Sequence, residues 1–174
     1  AIASEDTEEE HEQFFTPPEI STFMGSMFNF TKKKKIRILD AGAGTGILGI
    51  AASDEAIKQG VSTIHLVCVE NETESLKLLR NNLKIFKKQT SANFTFEIME
   101  IDYLEENDLG DFDAIISNPP YSKISPEIDR GGTSPNLYSR FMEVSIELLS
   151  SDGQMVFIVP RSFTNGVYFK KFRE

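Results

Sequence analysis

Four consecutive residues, Asn118, Pro119, Pro120 and Tyr121, follow the apolar run Ala114-Ile115-Ile116 and Ser117. Neither proline donates a backbone hydrogen bond, and each ring holds φ near −65°. The pair stops a strand and stiffens its exit, with an amide on one side and an aromatic ring on the other. A second group of residues runs from Asp40 to Gly49, DAGAGTGILG. Gly42, Gly44 and Gly46 allow a tight turn and a close approach to a ligand ahead of a helix N-terminus. The spacing is G-x-G-x-G, without the third glycine of a dinucleotide fingerprint and without the Gly-Lys-Ser/Thr of a phosphate cradle. Asp40 puts negative charge where a phosphate would sit, so the loop suits a cationic or hydroxyl-bearing ligand. Glu70 closes the next apolar run. There a carboxylate is either a solvated strand end or an acceptor for two ribose hydroxyls. Asp102 and Tyr103 offer an acceptor beside a ring, a pair equally at home as a loop acid and a packing tyrosine.

These residues need a scaffold that brings them to one edge. Strand patterns cover Ile36–Leu39, Ile64–Val69, Phe94–Met99, Phe112–Ser117 and Met155–Val159. Helical spacing covers Ile47 to about Gln59 with Gly60 as a stop, Glu72–Lys88 with Leu76, Leu79, Leu83 and Phe86 on one stripe, and Pro135–Leu149. A further helix starts at Val167, and Asp152-Gly153 reads as a turn. Residues 122–134 read as a polar loop. The alternation predicts an α/β fold, a mainly parallel sheet with helices on both faces. Such sheets bind ligands at the carboxyl ends of their strands. All the residues above stand at such ends.

Composition sets bounds. The chain has 174 residues, 40% hydrophobic and 26% charged, enough for one domain with a sizeable core. Its net charge of −9 excludes a chain that grips nucleic acid by charge alone. Much of the acid sits in residues 1–12, a peripheral N-terminal segment, whereas Arg161–Glu174 is net basic. The Lys32–Lys35 run reads as a solvated turn. Cys68 is the single cysteine, so no internal disulfide forms, and the chain suits a reducing compartment such as the cytoplasm. Cys68 lies in an apolar run and reads as a core residue. His11 and His65 are far apart, and no metal-ligand spacing exists. No segment reaches the roughly 18 apolar residues of a membrane span.

Taken together, ILDAGAGTG, the acid of VCVEN, IDYLE and NPPY resemble the class I S-adenosylmethionine-dependent methyltransferases, Rossmann-like enzymes. More narrowly they resemble the amino-methylating DNA methyltransferases. EQFFTPPEISTFM, Glu12 to Met24, resembles the segment that precedes the glycine loop in N6-adenine enzymes of the γ arrangement. The stretch from Ser134 to Glu174 resembles the Eco57I-like branch of restriction–modification methylases. One departure is Glu12, where the family usually has glycine. NPPY itself is shared with protein-glutamine and some RNA methyltransferases, and these remain alternatives, as does a cofactor-binding chain inactive without further parts.

The resemblance implies S-adenosylmethionine as cofactor and DNA as partner. Phe14, Phe15, Thr16 and Pro17 would hold its methionine portion, lined also by Asp40, Gly42, Ala43 and Gly44. Glu70 would take the ribose hydroxyls, with Asn71 beside the adenine. Asp102 would accept from the adenine amine, with Tyr103 against the ring. Asn118, Pro119, Pro120 and Tyr121 would hold the target base. The amine of adenine is a poor nucleophile because its lone pair is delocalised. The Asn118 side-chain oxygen and the Pro119 carbonyl, aimed at its two N–H bonds, would draw that pair out and stabilise the charge that develops. Tyr121 would offer a face to the flipped base.

Residues 13–174 then form a catalytic domain, C-terminally truncated relative to the family, which adds two strands and a target-recognition domain. Its last strand leaves an unpaired sheet edge, a site for association. Lys123 and Arg130 lie in a loop that either contacts DNA or is a bare surface loop.

Overall fold

A computed structural model describes residues 16–105, 109–122, 136–161 and 163. Residues 1–15, the loop positions Lys123 and Arg130, and the helix expected from Val167 lie outside them.

The elements in chain order are α1 (Pro18–Ser26), β1 (Lys35–Ala41), α2 (Ile47–Lys58), β2 (Thr63–Val69), α3 (Thr73–Gln89), β3 (Asn93–Met99), β4 (Phe112–Ser117), α4 (Leu137–Glu147) and β5 (Leu149–Phe157). The strands form one sheet in the order β3-β2-β1-β4-β5, and every described pairing is parallel. From β1 the chain first builds outward through β2 and β3. It then crosses back and adds β4 on the other side of β1. The topological switch point therefore lies between the carboxyl ends of β1 and β4.

Alternate residues along a strand face opposite sides, and the core divides accordingly. Ile36, Ile38, Ile64 and Leu66 pack against α1, α2 and α3, through residues such as Met24 and Leu79. Leu39, Val67 and Ile115 form a second cluster with Phe141 of α4. The helices thus cover both faces. That coverage is why the central strands read as unbroken apolar runs.

Local chemistry sets the helix ends. In α3 the Glu72 side chain accepts from the Ser75 amide at 2.9 Å, a cap at the positive end of the helix dipole. Lys87 and Lys88 sit in its last turn. Helix α1 is not among the helices expected from the sequence, where its residues enter only as part of the Glu12–Met24 family segment. Pro17 and Pro18 start the helix, where a missing N–H costs nothing. Gly25 lets α1 approach α2 closely. A Cβ there would stand 2.8 Å from the Ala51 carbonyl oxygen.

Strand β5 departs from the sequence reading. It begins at Leu149 and ends at Phe157, and the expected turn at Asp152-Gly153 is a bulge within the strand. Phe112 pairs with Leu149, but Ala114 pairs with Gln154, so the register shifts between them. Gly153 serves this close approach, since a Cβ would lie 2.9 Å from the Phe112 carbonyl oxygen. The bulge keeps β5 paired as far as Ser117 opposite Phe157, at the switch point.

Candidate functional site

The glycine loop leaves β1 and folds over the end of β2. The amides of Gly42 and Ala43 both donate to the Val69 carbonyl, at 3.0 and 2.9 Å. Gly44 has φ of +53°, and a Cβ on it would meet nothing within 4 Å. Its backbone therefore borders open space, and a ligand can lie against it. Glu70, 8% exposed, stands beneath this loop. Its Oε2 accepts from the Gly44 amide at 2.7 Å, and its Oε1 from the Asn71 and Glu72 amides at 2.9 and 2.8 Å. The reading of Glu70 as a solvated strand end does not hold. A carboxylate offers about four acceptor positions, so three such bonds leave room for a ligand donor. The Asn71 side chain is exposed beside it.

Asp40 differs from the expectation of a ligand-lining acid. It is fully buried, at 0% exposure. Its Oδ2 accepts from the Gly49 amide at 2.8 Å. Gly49 is the third residue of α2, so Asp40 caps that helix from the adjoining strand, where the N-cap Gly46 has no side chain to do so. Burial pushes its pKa from 3.8 to about 8, with the nearby Glu70 charge adding and the Gly49 amide opposing. Its Oδ1 is buried with no hydrogen-bond partner among the described residues.

Asp102 is exposed and folds back on its own turn, accepting from the Leu104 amide at 2.9 Å. Tyr103 corrects the expectation of an open ring beside an adenine. At 2% exposure it belongs to the core under α4, its ring centroid 4.8 Å from that of Phe141. Its hydroxyl lies 2.8 Å from Ser145 Oγ. The Ser145 hydrogen goes to the Phe141 carbonyl, so Tyr103 is the donor. Burial pushes its hydroxyl pKa up to about 12.

At the end of β4, the Ser117 hydroxyl donates to the Ala41 carbonyl at 2.6 Å and ties the exits of β4 and β1 together. Ser117 is fully buried and was not singled out in the sequence, where it reads as an ordinary strand residue. Asn118 follows. Its Nδ2 donates to Thr16 Oγ1 at 3.2 Å, and its Oδ1 accepts from the Tyr121 hydroxyl at 2.6 Å. Pro119 is buried and Pro120 exposed, while Pro17 is exposed next to Thr16. Burial raises the Tyr121 hydroxyl pKa above its ordinary value. The Tyr121 and Tyr138 rings make an edge-type contact, their centroids 6.3 Å apart. Phe14 and Phe15 lie outside the described residues.

The structure therefore brings Thr16, Asn118 and Tyr121 together, and Gly44 with Glu70. It places Asp40 and Tyr103 beneath them. Two open cavities, of about 510 and 300 Å³, lie between α2 and α3, the larger also bordered by α1, and share Ile47, Ile50, Phe86 and Gln89. Neither is lined by Glu70 or Asn118. Among the described residues no group of three or more His, Cys, Asp or Glu side chains could hold a metal ion. No described helix is long and apolar enough to cross a membrane.

This sheet order, with a glycine loop after β1 and an acid after β2, defines a Rossmann-like class I methyltransferase fold. A solved structure from Listeria monocytogenes, described as a class I S-adenosylmethionine-dependent methyltransferase, superposes with a TM-score of 0.74 at 20% identity, covering 90% of this chain and 50% of that one. The chain belongs to the Eco57I restriction-modification methylase family, which it matches over residues 23–174. It is 34% identical to the type II methyltransferase M.BsuBI of Bacillus subtilis and 33% to M.PstI of Providencia stuartii, over 93% of this chain in each case. It spans about a third of the length of these curated relatives, 36% and 35%.

Proposed function

We infer that this chain carries the catalytic centre of an S-adenosylmethionine-dependent DNA methyltransferase that modifies the N6 amine of adenine within a restriction–modification or related defence system. The observation that supports it most is the Ser117–Ala41 hydrogen bond, which sets Asn118 at the switch point beside the glycine loop. Two of the similar proteins are named as type II methyltransferases, which favours DNA as the substrate. On this reading residues 13–174 are the catalytic domain, target recognition belongs to other parts of the protein, and the enzyme works in the cytoplasm. Among the described residues β5 is an edge strand, and a further strand or partner would pair along its outer side.

The residues fit the cofactor. Gly44 leaves its backbone open to a ligand, and Glu70 keeps acceptor capacity for ribose hydroxyls. When bound, S-adenosylmethionine supplies an electrophilic methyl group on a sulfonium. Pro17, Gly42, Ala43, Asn71 and Asp102 would border it, with Phe14 and Phe15 assigned there by family resemblance alone.

The chain's own residues prepare the amine. Asn118 Oδ1, which accepts from the Tyr121 hydroxyl, would also accept one N–H of the amine. The Pro119 carbonyl takes the other. Acceptors fixed before the base arrives stabilise positive charge as it develops on nitrogen, without reorganising during the step. Pro119 and Pro120 supply that fixity. The Tyr121 ring gives the flipped base a stacking face worth roughly 1–3 kcal/mol, which offsets part of the unstacking cost.

The test is methyl transfer by the intact protein from labelled cofactor to unmethylated DNA, with Asn118→Ala beside the parent. Expected is a loss of at least a hundredfold in kcat with cofactor affinity retained. Label on adenine at the parental rate would refute this assignment.

A further inference from the structure

Thr16 and Asn118 are 102 residues apart in the chain, yet their side chains meet. Helix α1 sets that meeting. The Ser21 amide donates to the Pro17 carbonyl at 3.0 Å, which fixes the first turn just after Thr16. Gly25 seats the same helix hard against α2. Asn118 Nδ2 then donates to Thr16 Oγ1, while Tyr121 donates to Oδ1 at the other end of the amide.

We propose that Thr16 is a positioning residue for the methyl-accepting amine: it holds the Asn118 carboxamide by its nitrogen end, so that the oxygen end faces the base. The proposal rests on the role given to Asn118 above. It moves Thr16 from an assumed contact with the cofactor's methionine portion to a contact on the base side of the site.

A carboxamide has two nearly isosteric ends, one accepting and one donating. Rotation about its terminal torsion is soft, so rotamer preference alone does not choose between them. With the nitrogen turned toward the amine, donor would face donor and the acceptor would be lost. Thr16 Oγ1, bonded to the nitrogen end while Tyr121 donates to the oxygen end, restrains that torsion in the orientation seen here. Thr16 and Asn118 are both half-buried, so water competes poorly for the bond. The Thr16 contact also gives α1 a part in the reaction, since any shift of α1 would turn the Asn118 amide.

The experiment uses the intact protein, tritiated S-adenosylmethionine and whole-genome-amplified DNA, which carries no methyl marks. Thr16→Val keeps the shape and removes the acceptor, whereas Thr16→Ser keeps the oxygen. Thr16→Val is expected to lower kcat roughly tenfold, the worth of one hydrogen bond. Cofactor affinity by calorimetry and KM for DNA should stay within twofold, and Thr16→Ser should recover most of kcat. Should valine lower the thermal midpoint, Thr16→Ala provides the same loss of acceptor. Parental kcat in Thr16→Val, or an equal loss in Thr16→Ser, would overturn the proposal. So would a defect confined to cofactor affinity. An active Asn118→Ala enzyme would sink the underlying mechanism. An inactive Asn118→Ala enzyme beside a fully active Thr16→Val would sink only the role of Thr16.

Discussion

The Glu70 carboxylate holds the amide of Gly44 at 2.7 Å, across 26 positions of sequence. The bond pins the glycine loop that leaves β1 to the end of β2. Its other oxygen gathers the amides of Asn71 and Glu72, just ahead of α3. One side chain thus shapes the loop and keeps acceptor capacity for a ligand.

Removing that carboxylate should weaken cofactor binding. Glu70→Ala loses a charge-assisted bond to the loop and leaves three amides without their acceptor, each such bond being worth about 1.5–3 kcal/mol. The expected result by calorimetry is a rise of at least tenfold in the S-adenosylmethionine Kd, with Glu70→Gln intermediate. Parental affinity in Glu70→Ala would remove Glu70 from the binding site.

Asp40 should leave a mark on the pH dependence of stability. Its pKa is near 3.8 in the unfolded chain and about 8 in the folded one, because burial disfavours the charge. Between those values the native chain holds a proton that the unfolded chain has released. The stability from this group is full below pH 3.8 and is lost as pH rises through about 8. Asp40→Asn cannot titrate and keeps a carbonyl oxygen for the Gly49 amide. In urea unfolding the parent should lose stability relative to Asp40→Asn between pH 5 and 8, by up to about 1.4 kcal/mol per pH unit. Two parallel stability curves would contradict the assignment.

Tyr103→Phe separates a core role from a cofactor role. It removes the hydroxyl bonded to Ser145 and keeps the ring against Phe141. The protein should lose about 1 kcal/mol of stability, seen as a lower denaturation midpoint. Cofactor affinity should be unchanged. A clear loss of affinity with no change in midpoint would return Tyr103 to the site.

Much of this molecule is legible in short stretches of its sequence. Strand β4 falls on the expected residues, Phe112–Ser117, and α3 on its apolar stripe, because side-chain periodicity and end chemistry are local. The placing of acids, glycines and NPPY at strand ends follows from the same local reading. Helix α1 was hidden because Pro17 and Pro18 either break or begin a helix, and only its packing on α2 decides. The bulge in β5 was hidden because Asp152-Gly153 is an ordinary turn pair until β4 pairs around it.

What the sequence alone determined is therefore the alternation of elements and the list of chemically able residues. Tertiary structure decided which of them face one another. Tyr103 is buried because α4, some forty residues later, supplies Phe141 and Ser145 to cover it. Asp40 is a helix cap and not an open acid because α2 folds back over the end of β1. The amide of Asn118 meets Thr16 because the sheet order carries β4 back beside β1, within reach of the start of α1. Each of these is a contact between distant segments, and burial and hydrogen bonding act through space rather than along the chain.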